Sequence, residues 1–192
     1  MSKFIAEMYT IFAYCTRGPY EQEAEKLRRS IQQFPYLHYQ IDYTDDRGSW
    51  EKNTNLKPRM IRSAIIGNKR PVLYIDVDAE VKKDPSPLVG ELITTADVAA
   101  HYRAGKELLS GTLFWNNTPA TMAVLDEWIA EVTKHPQRWD QKNLQDVIDR
   151  NVEKIRFVML PAEYCLIDDK RLMTTDKEPV ILQHQASRRL KT

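Results

Sequence analysis

The chain has 192 residues, 42% of them hydrophobic and 29% charged, with a formal net charge of +1. That length suits one domain with a sizeable core, and the balanced charge advertises neither nucleic acid nor an anionic membrane as a partner. No run approaches the roughly 18 apolar residues of a membrane-spanning helix, and Cys15 and Cys165 form no CxxC pair, which leaves zinc fingers and disulfide scaffolds without support and points to a reducing cytoplasm.

The N-terminal stretch through Cys15 is a short apolar run interrupted by Glu7, so it reads as a first strand and not a signal peptide. Its β-rich part is YTIFAYC, Tyr9 to Cys15. TRGPY breaks the strand. A helix is expected over YEQEAEKLRRSIQQF, where Ala24, Leu27, Ile31 and Phe34 fall at helical spacing. YLHYQIDY alternates like a strand, and TDDRGSWEKN is polar and turn-like. Leu56, Met60, Ile61, Ala64 and Ile65 mark a second helix ending at Gly67-Asn68, and PVLYID is the next buried strand. This order predicts an α/β fold, a mixed and mostly parallel sheet flanked by helices. Two more strands follow, in ADVAAHY and ELLSGTLFWNN. Asn117 or Thr118 caps PATMAVLDEWIAEVTKH, whose Met122, Leu125, Trp128, Ile129 and Val132 form one apolar stripe. DQKNLQDVIDR is a short helix, IRFVMLP and PVILQH are the last strands, and QASRRLKT is a basic tail.

The third strand exits through Asp76 and Asp78. In open α/β sheets, ligands bind beyond the carboxyl ends of the strands. Side chains at i and i+2 of an extended segment point the same way, so the two acids should face one side and Val77 the other. A divalent cation would offset their repulsion, and oxygen ligands suit Mg²⁺ or Mn²⁺. The plainer alternative is an exposed acidic turn. An EF-hand is excluded, because Val81 stands where the loop needs glycine and Pro87 where it needs the bidentate Glu.

Two enzyme classes place D-x-D after a buried strand. In glycosyltransferases of GT-A fold the pair holds a metal against a diphosphate leaving group. In haloacid-dehalogenase-like phosphatases Asp76 would be the nucleophile, Thr94 or Thr95 the phosphate hydroxyl, Lys106 the cation, and Asp168 and Asp169 metal ligands. Against the phosphatase, Glu80 replaces a small or β-branched residue, and the motif is not on the first strand.

The surrounding residues resemble a GT-A (Rossmann-like) nucleotide-sugar glycosyltransferase over nearly the whole chain. FAYCTRGPYEQEAEKLRRSI resembles the strand, turn and helix that hold the nucleotide. GSWEKNTNLKPRMI resembles the segment bringing a lysine to the donor, and PVLYIDVDAEVKKDPSPL the D-x-D strand and its exit. ELLSGTLFWNNTPATMAVLDEWIAEV resembles the strand with Ser-Gly beside the sugar, RWDQKNL the Asp-Gln segment near the anomeric carbon, and PVILQHQASRRLK the closing strand whose His completes the metal site. The relatives are retaining families, glycogenin-like and lipooligosaccharide galactosyltransferase-like, and small phage or bacterial proteins.

The resemblance implies one domain over residues 1–192, with a nucleotide-binding half at 1–90 and a sugar and acceptor half at 91–192. It implies Mn²⁺ or Mg²⁺ on Asp76, Asp78 and His184, and a nucleoside diphosphate sugar as donor, UDP-sugar favoured. Outside the family, His184 reads as a hydrogen-bonded residue at a strand end. Lys57 would meet a donor phosphate, or be one of many surface lysines. Arg188, Arg189 and Lys191 would clamp the diphosphate, or form a solvated tail. Thr16 and Tyr20 suit the base and ribose, or serve as a helix cap and a packed ring. Trp50 lines the same pocket or is core. Ser110 and Gly111 allow close approach to the sugar, or mark a β-bulge. Asp140 and Gln141 would act at the reacting carbon, or Asp140 is a cap or first-turn acid; Lys142 departs from the family pattern after them. Trp115, Trp128 and Trp139 could stack sugars, though the stripe puts Trp128 in the core. The acceptor is expected to be a glycan or glycolipid, with hydroxymethylated DNA second, the latter resting on the basic tail and on Lys57, Arg59, Arg62, Lys69 and Arg70 near one another. A non-catalytic nucleotide-sugar binder is the remaining rival.

Overall fold

The computed structural model describes residues 2–169 and 175–190. Its first element is a short helix, α1 (Ser2–Ala6), where the sequence suggested the start of a strand. The strand proper is β1 (Thr10–Thr16), with all seven residues buried. A β-branched and aromatic run buried on both faces is what the centre of a covered parallel sheet requires. Then come α2 (Glu21–Gln32), β2 (Tyr39–Thr44), α3 (Trp50–Thr54), α4 (Lys57–Asn68) and β3 (Val72–Ile75). The expected polar turn thus contains α3, which Ser49 caps by accepting from the Lys52 N–H. Pro58 sits in the first turn of α4, where its missing N–H costs nothing.

The chain continues through β4 (Ala79–Val81), α5 (Ser86–Thr95), β5 (Val98–Arg103), β6 (Glu107–Trp115), α6 (Pro119–Lys134) and α7 (Asp140–Asn151). It closes with β7 (Phe157–Met159), a 3-10 turn (Ala162–Tyr164), β8 (Leu166–Ile167), β9 (Ile181–Gln183) and α8 (Ser187–Leu190). Thr118 caps α6, accepting from the Thr121 N–H at 3.2 Å. Helix α5 lies against α1, and Gly90 is what lets it: a Cβ there would stand 2.9 Å from Ile5 Cδ1.

The main sheet has the order β2-β1-β3-β6-β5-β7. Strands β2, β1 and β3 run parallel, β6 is antiparallel to both β3 and β5, and β7 is parallel to β5. Alternate residues feed two cores. Ile11, Leu73 and Phe114 pack with Leu27 of α2 and Val89 of α5; Phe12, Tyr74 and Trp115 pack with Ile61, Leu125 and Leu144 on the other face. Trp115 and Trp128 stack there at 5.8 Å, so both are core. A latch joins the start of β5 to α6 and β7. Asp97 bonds Arg156 at 2.8 Å and Thr118 at 3.0 Å, and these partners hold its carboxyl down at about 2.

A second sheet, β4-β9-β8, sits at the carboxyl end of β3. The basic cluster expected around α4 is dispersed: Arg62 pairs with Asp126 at 2.7 Å, Arg70 donates to the Glu7 carbonyl at 2.9 Å, and Lys57 is buried. Among the described residues, no helix is long and apolar enough to cross a membrane.

Candidate functional site

Strand β3 ends at Ile75, and the Asp76 N–H extends its ladder by donating to Gly111 O at 2.8 Å. The chain then turns, with the Ala79 N–H donating to Asp76 O at 3.0 Å. The two acids are therefore presented by a turn and not by the pleat. Both line one cavity of about 620 Å³, within the range of small-molecule sites. Burial first, and then the neighbouring Asp76 carboxylate, push the Asp78 carboxyl up to about 6, against the Ala186 N–H that donates to it.

The facing wall is made by a distortion of β6. On β5, Ala100 pairs with Leu113 and the next residue, His101, pairs with Leu109. Ser110, Gly111 and Thr112 thus have no counterpart on β5 and bulge, and the first two line the cavity. A Cβ on Gly111 would fall 3.0 Å from Gln183 Cδ. The Gln183 amide donates to Gly111 O at 3.0 Å and Thr112 Oγ1 at 2.9 Å, so this glycine makes room for a strut from β9.

Lys57 sits at the centre, 3% exposed. Its Nζ lies 2.9 Å from Asp140 Oδ2, 3.0 Å from Asp76 Oδ1 and 3.1 Å from Ser110 Oγ, and 5.2 Å from the centre of the Tyr74 ring. Burial pulls its pKa down, but Asp140 and Asp76 more than reverse this, and the ammonium stays charged above its ordinary range. Lys57 lines the cavity, and its burial rules out the surface-lysine reading. Its three N–H donors are matched here by protein oxygens. Tyr74 donates to Asp76 Oδ1 at 2.7 Å and Ser110 Oγ to Asp140 Oδ2 at 3.1 Å, completing a chain of contacts from the D-x-D turn to α7.

Asp140 is the first residue of α7, with Trp139 in the cap position, and its carbonyl accepts from Trp128 Nε1 at 3.1 Å. Gln141 is held at both ends: Oε1 accepts from the Ser110 N–H at 3.2 Å, and Nε2 donates to Glu107 Oε1 at 3.0 Å. Glu107 also pairs with Arg103. Thr16, Tyr20 and Trp50 line the cavity. Thr16 does not cap α2, because the cap position is Tyr20, which makes no side-chain cap bond. Burial and then Asp78 and Asp76 raise the Tyr20 phenol to about 12.

The His184 N–H donates to Asp78 O at 3.3 Å, but its ring is turned away from the two carboxylates. Its ring nitrogens lie 3.0 Å from Asp168 Oδ2 and 3.2 Å from Glu80 Oε2, and it is not among the lining residues. The register of β9 on β4 sets the His184 backbone opposite Asp78, and only its ring turns aside, toward Glu80 and Asp168. Among the described residues, no group of three His, Cys, Asp or Glu side chains is arranged to hold a metal. The acid pair still fits a hard cation. Its described contacts take Oδ1 of Asp76 and Oδ2 of Asp78, so each carboxylate keeps a second oxygen, and two crowded carboxylates call for positive charge.

Arg188 lines the cavity, with Nη1 3.0 Å from Asp169. Arg189 instead reaches Glu23 on α2 at 3.6 Å and is not a lining residue. Lys191 lies outside the described residues. The residues a phosphatase would need are not gathered: Thr94 and Thr95 bond back to Glu91 O on α5, and neither they nor Lys106, Asp168 or Asp169 line the cavity with Asp76. Sequence reasoning missed Tyr74, Glu107 and Gln183. Tyr74 was within reach, two residues before Asp76 on the same strand; the other two depend on pairings between distant segments.

A family model described as nucleotide-diphospho-sugar transferase matches residues 22–191. Among solved structures, the chain is similar to a glycosyltransferase involved in the glycosylation of the major capsid of PBCV-1, at 12% identity over 92% of each chain, with a TM-score of 0.69. It is similar to the glycosyltransferase GlyE of Streptococcus pneumoniae TIGR4 at 16% identity and a TM-score of 0.61, covering 92% of this chain and 54% of GlyE, so it spans about half of that protein. It is also similar to the galactosyltransferase LgtC, solved with donor and acceptor sugar analogues, at 11% identity over 93% of this chain and 87% of that one, with a TM-score of 0.59. At such identities the likeness speaks for the fold. No curated protein sequence matches the chain significantly.

Proposed function

Because the chain belongs to the nucleotide-diphospho-sugar transferase family, we propose that it moves a sugar from a nucleoside diphosphate sugar, UDP-sugar favoured, to an acceptor hydroxyl, with a divalent cation and with retention at the anomeric carbon. The observation that carries this reading is the convergence of Asp76, Asp78, Asp140 and Gln141 on one cavity, with Lys57 tying Asp76 to Asp140. Residues 1–90 form the nucleotide-binding half of a single domain, and residues 91–192 the sugar and acceptor half. Thr16 and Tyr20 take the base and ribose. Buried free thiols at Cys15 and Cys165 suit a cytoplasmic setting.

In the reaction, the bond from the anomeric carbon to the diphosphate oxygen breaks, and its electron pair leaves with the diphosphate. The acceptor oxygen bonds to that carbon and its proton passes to the departing phosphate oxygen. Mn²⁺ or Mg²⁺ on Asp76 and Asp78 would supply positive charge to the leaving group. Arg188 adds a guanidinium on the same side. Lys57 holds Asp140 in place, so that its carboxylate orients the donor sugar's hydroxyls. Gln141, clamped by the Ser110 N–H and Glu107, presents its amide to the reacting carbon. Fixed dipoles of this kind avoid reorganisation during reaction. The acceptor is a glycan or glycolipid, with hydroxymethylated DNA second; Arg62 and Arg70 around α4 are engaged by Asp126 and the Glu7 carbonyl.

The test is a thermal-shift screen of nucleoside diphosphate sugars with and without Mn²⁺. A donor at 100 times its Kd adds about 2.7 kcal/mol, a rise of about 5–10 °C for a chain of this size. The double variant Asp76→Ala/Asp78→Ala should abolish the cation-dependent part. No shift with any donor defeats the reading, and an inverted anomer in product NMR defeats retention alone.

A further inference from the structure

We propose that Trp139, backed by Trp50, is the platform on which the acceptor sits, and that this acceptor is a pyranose sugar presenting a face of C–H bonds. This rests on the transfer reading above. Trp139 immediately precedes Asp140, the residue assigned to the donor sugar, in the chain. It lines the same cavity, yet it is 54% exposed, an unusual amount for an indole. The exposure is not looseness. The Trp50 ring meets it edge-on, with centroids 5.7 Å apart and planes at 82°. Trp50 opens α3, which Ser49 caps, and the Asn55 amide after that helix donates to Pro136 O at 2.9 Å, tying α3 to the loop that carries Trp139. The ring is thus braced at the cavity by α3 and the residue that follows it.

A large, fixed, apolar plane beside a polar reaction centre recognises a ligand with one apolar face and hydroxyls around its edge. A pyranose with axial C–H bonds has that form. Arg103, Glu107 and Gln141, which also line the cavity, bond one another and offer donors and acceptors to ring hydroxyls. A base assigned to Thr16 and Tyr20 leaves this plane to the second substrate.

Saturation-transfer NMR with methyl β-D-galactopyranoside and methyl β-D-glucopyranoside tests the assignment, with UDP and Mn²⁺ present and UDP affinity measured in parallel by calorimetry. For the unmodified protein, saturation should fall on the protons of one ring face of at least one glycoside. Trp139→Ala should weaken that glycoside's binding about tenfold, Trp139→Phe should restore most of it, and UDP affinity should stay within about twofold in both. Absence of saturation in every glycoside, or saturation indifferent to residue 139, overturns the platform while UDP binding remains intact. A loss of UDP affinity in Trp139→Ala without loss of glycoside binding also overturns it, by assigning the ring to the base. Failure of the unmodified protein to bind UDP sinks the transfer reading itself.

Discussion

Replacing Lys57 by methionine removes one charge with little change of volume. It leaves Asp76 Oδ1, Asp140 Oδ2 and Ser110 Oγ facing an apolar end group where each now has an ammonium within 3.1 Å. Removing one partner of a buried ion pair costs about 3–5 kcal/mol, because the other charge stays behind uncompensated. The two arms differ. The Asp140 side chain is 5% exposed and bears the full cost, whereas Asp76 is 34% exposed and water relieves part of its share. The expected loss is therefore at the low end, about 3 kcal/mol, or a fall in Tm of about 6–12 °C. Urea denaturation followed by circular dichroism measures it. A cycle with Asp140→Asn should show a coupling of at least about 1.5 kcal/mol. The pH dependence has a definite sign. A lysine whose pKa is raised on folding contributes fully below its ordinary value and loses that contribution only as pH climbs through the raised one, so the gap should be flat between about pH 6 and 9. A loss below about 1 kcal/mol would refute the argument, since it would mean that the ammonium is effectively solvated.

Two further measurements probe the scaffold. Asp97 is held near 2 by Arg156, so its contribution is present above the ordinary carboxylate pKa and fades as pH falls through about 4 to 2. Asp97→Asn should cost about 1–2 kcal/mol at neutral pH, discounted because Arg156 is half-exposed, and acid titrations of the two proteins should converge near pH 2; parallel curves would contradict the assignment. Gly111→Ala drives a methyl against the Gln183 amide and should cost about 1–3 kcal/mol, and Gln183→Ala in the same chain should recover part of that loss. Strict additivity of the two would show that the amide is not what the glycine accommodates.

The elements that were legible in the sequence are those whose pattern is local. β1 and β3 show as apolar runs between breakers, and α2, α6 and α7 show as stripes, because burial of one face imposes the period directly. β4 and β8 span three and two residues, too few to carry any period. α5 was missed because SPLVGELITT begins among prolines and its apolar residues do not form a simple stripe. The pleat argument expected the two acids to share a face; a turn presents them instead, and both line one cavity. The burial of Lys57 was not legible because it is decided by Asp140 and Ser110, on elements that no local window connects to it. The direction of the His184 ring was not legible for a related reason: β9 sets its backbone beside Asp78, while Glu80 and Asp168, from distant segments, hold the imidazole.

The strut and clasp supplied by β9 and the residue stretch after it have a consequence for how the protein fails. Gln183 braces Gly111, and the Ala186 N–H holds Asp78, across 72 and 108 residues of intervening chain. Neither contact is needed to keep six hydrogen-bonded strands together. Mild heating or low denaturant can therefore peel this last ribbon away while the large sheet survives. The molecule would then look folded by every bulk spectroscopic criterion and be chemically mute, with sugar transfer disappearing ahead of global melting.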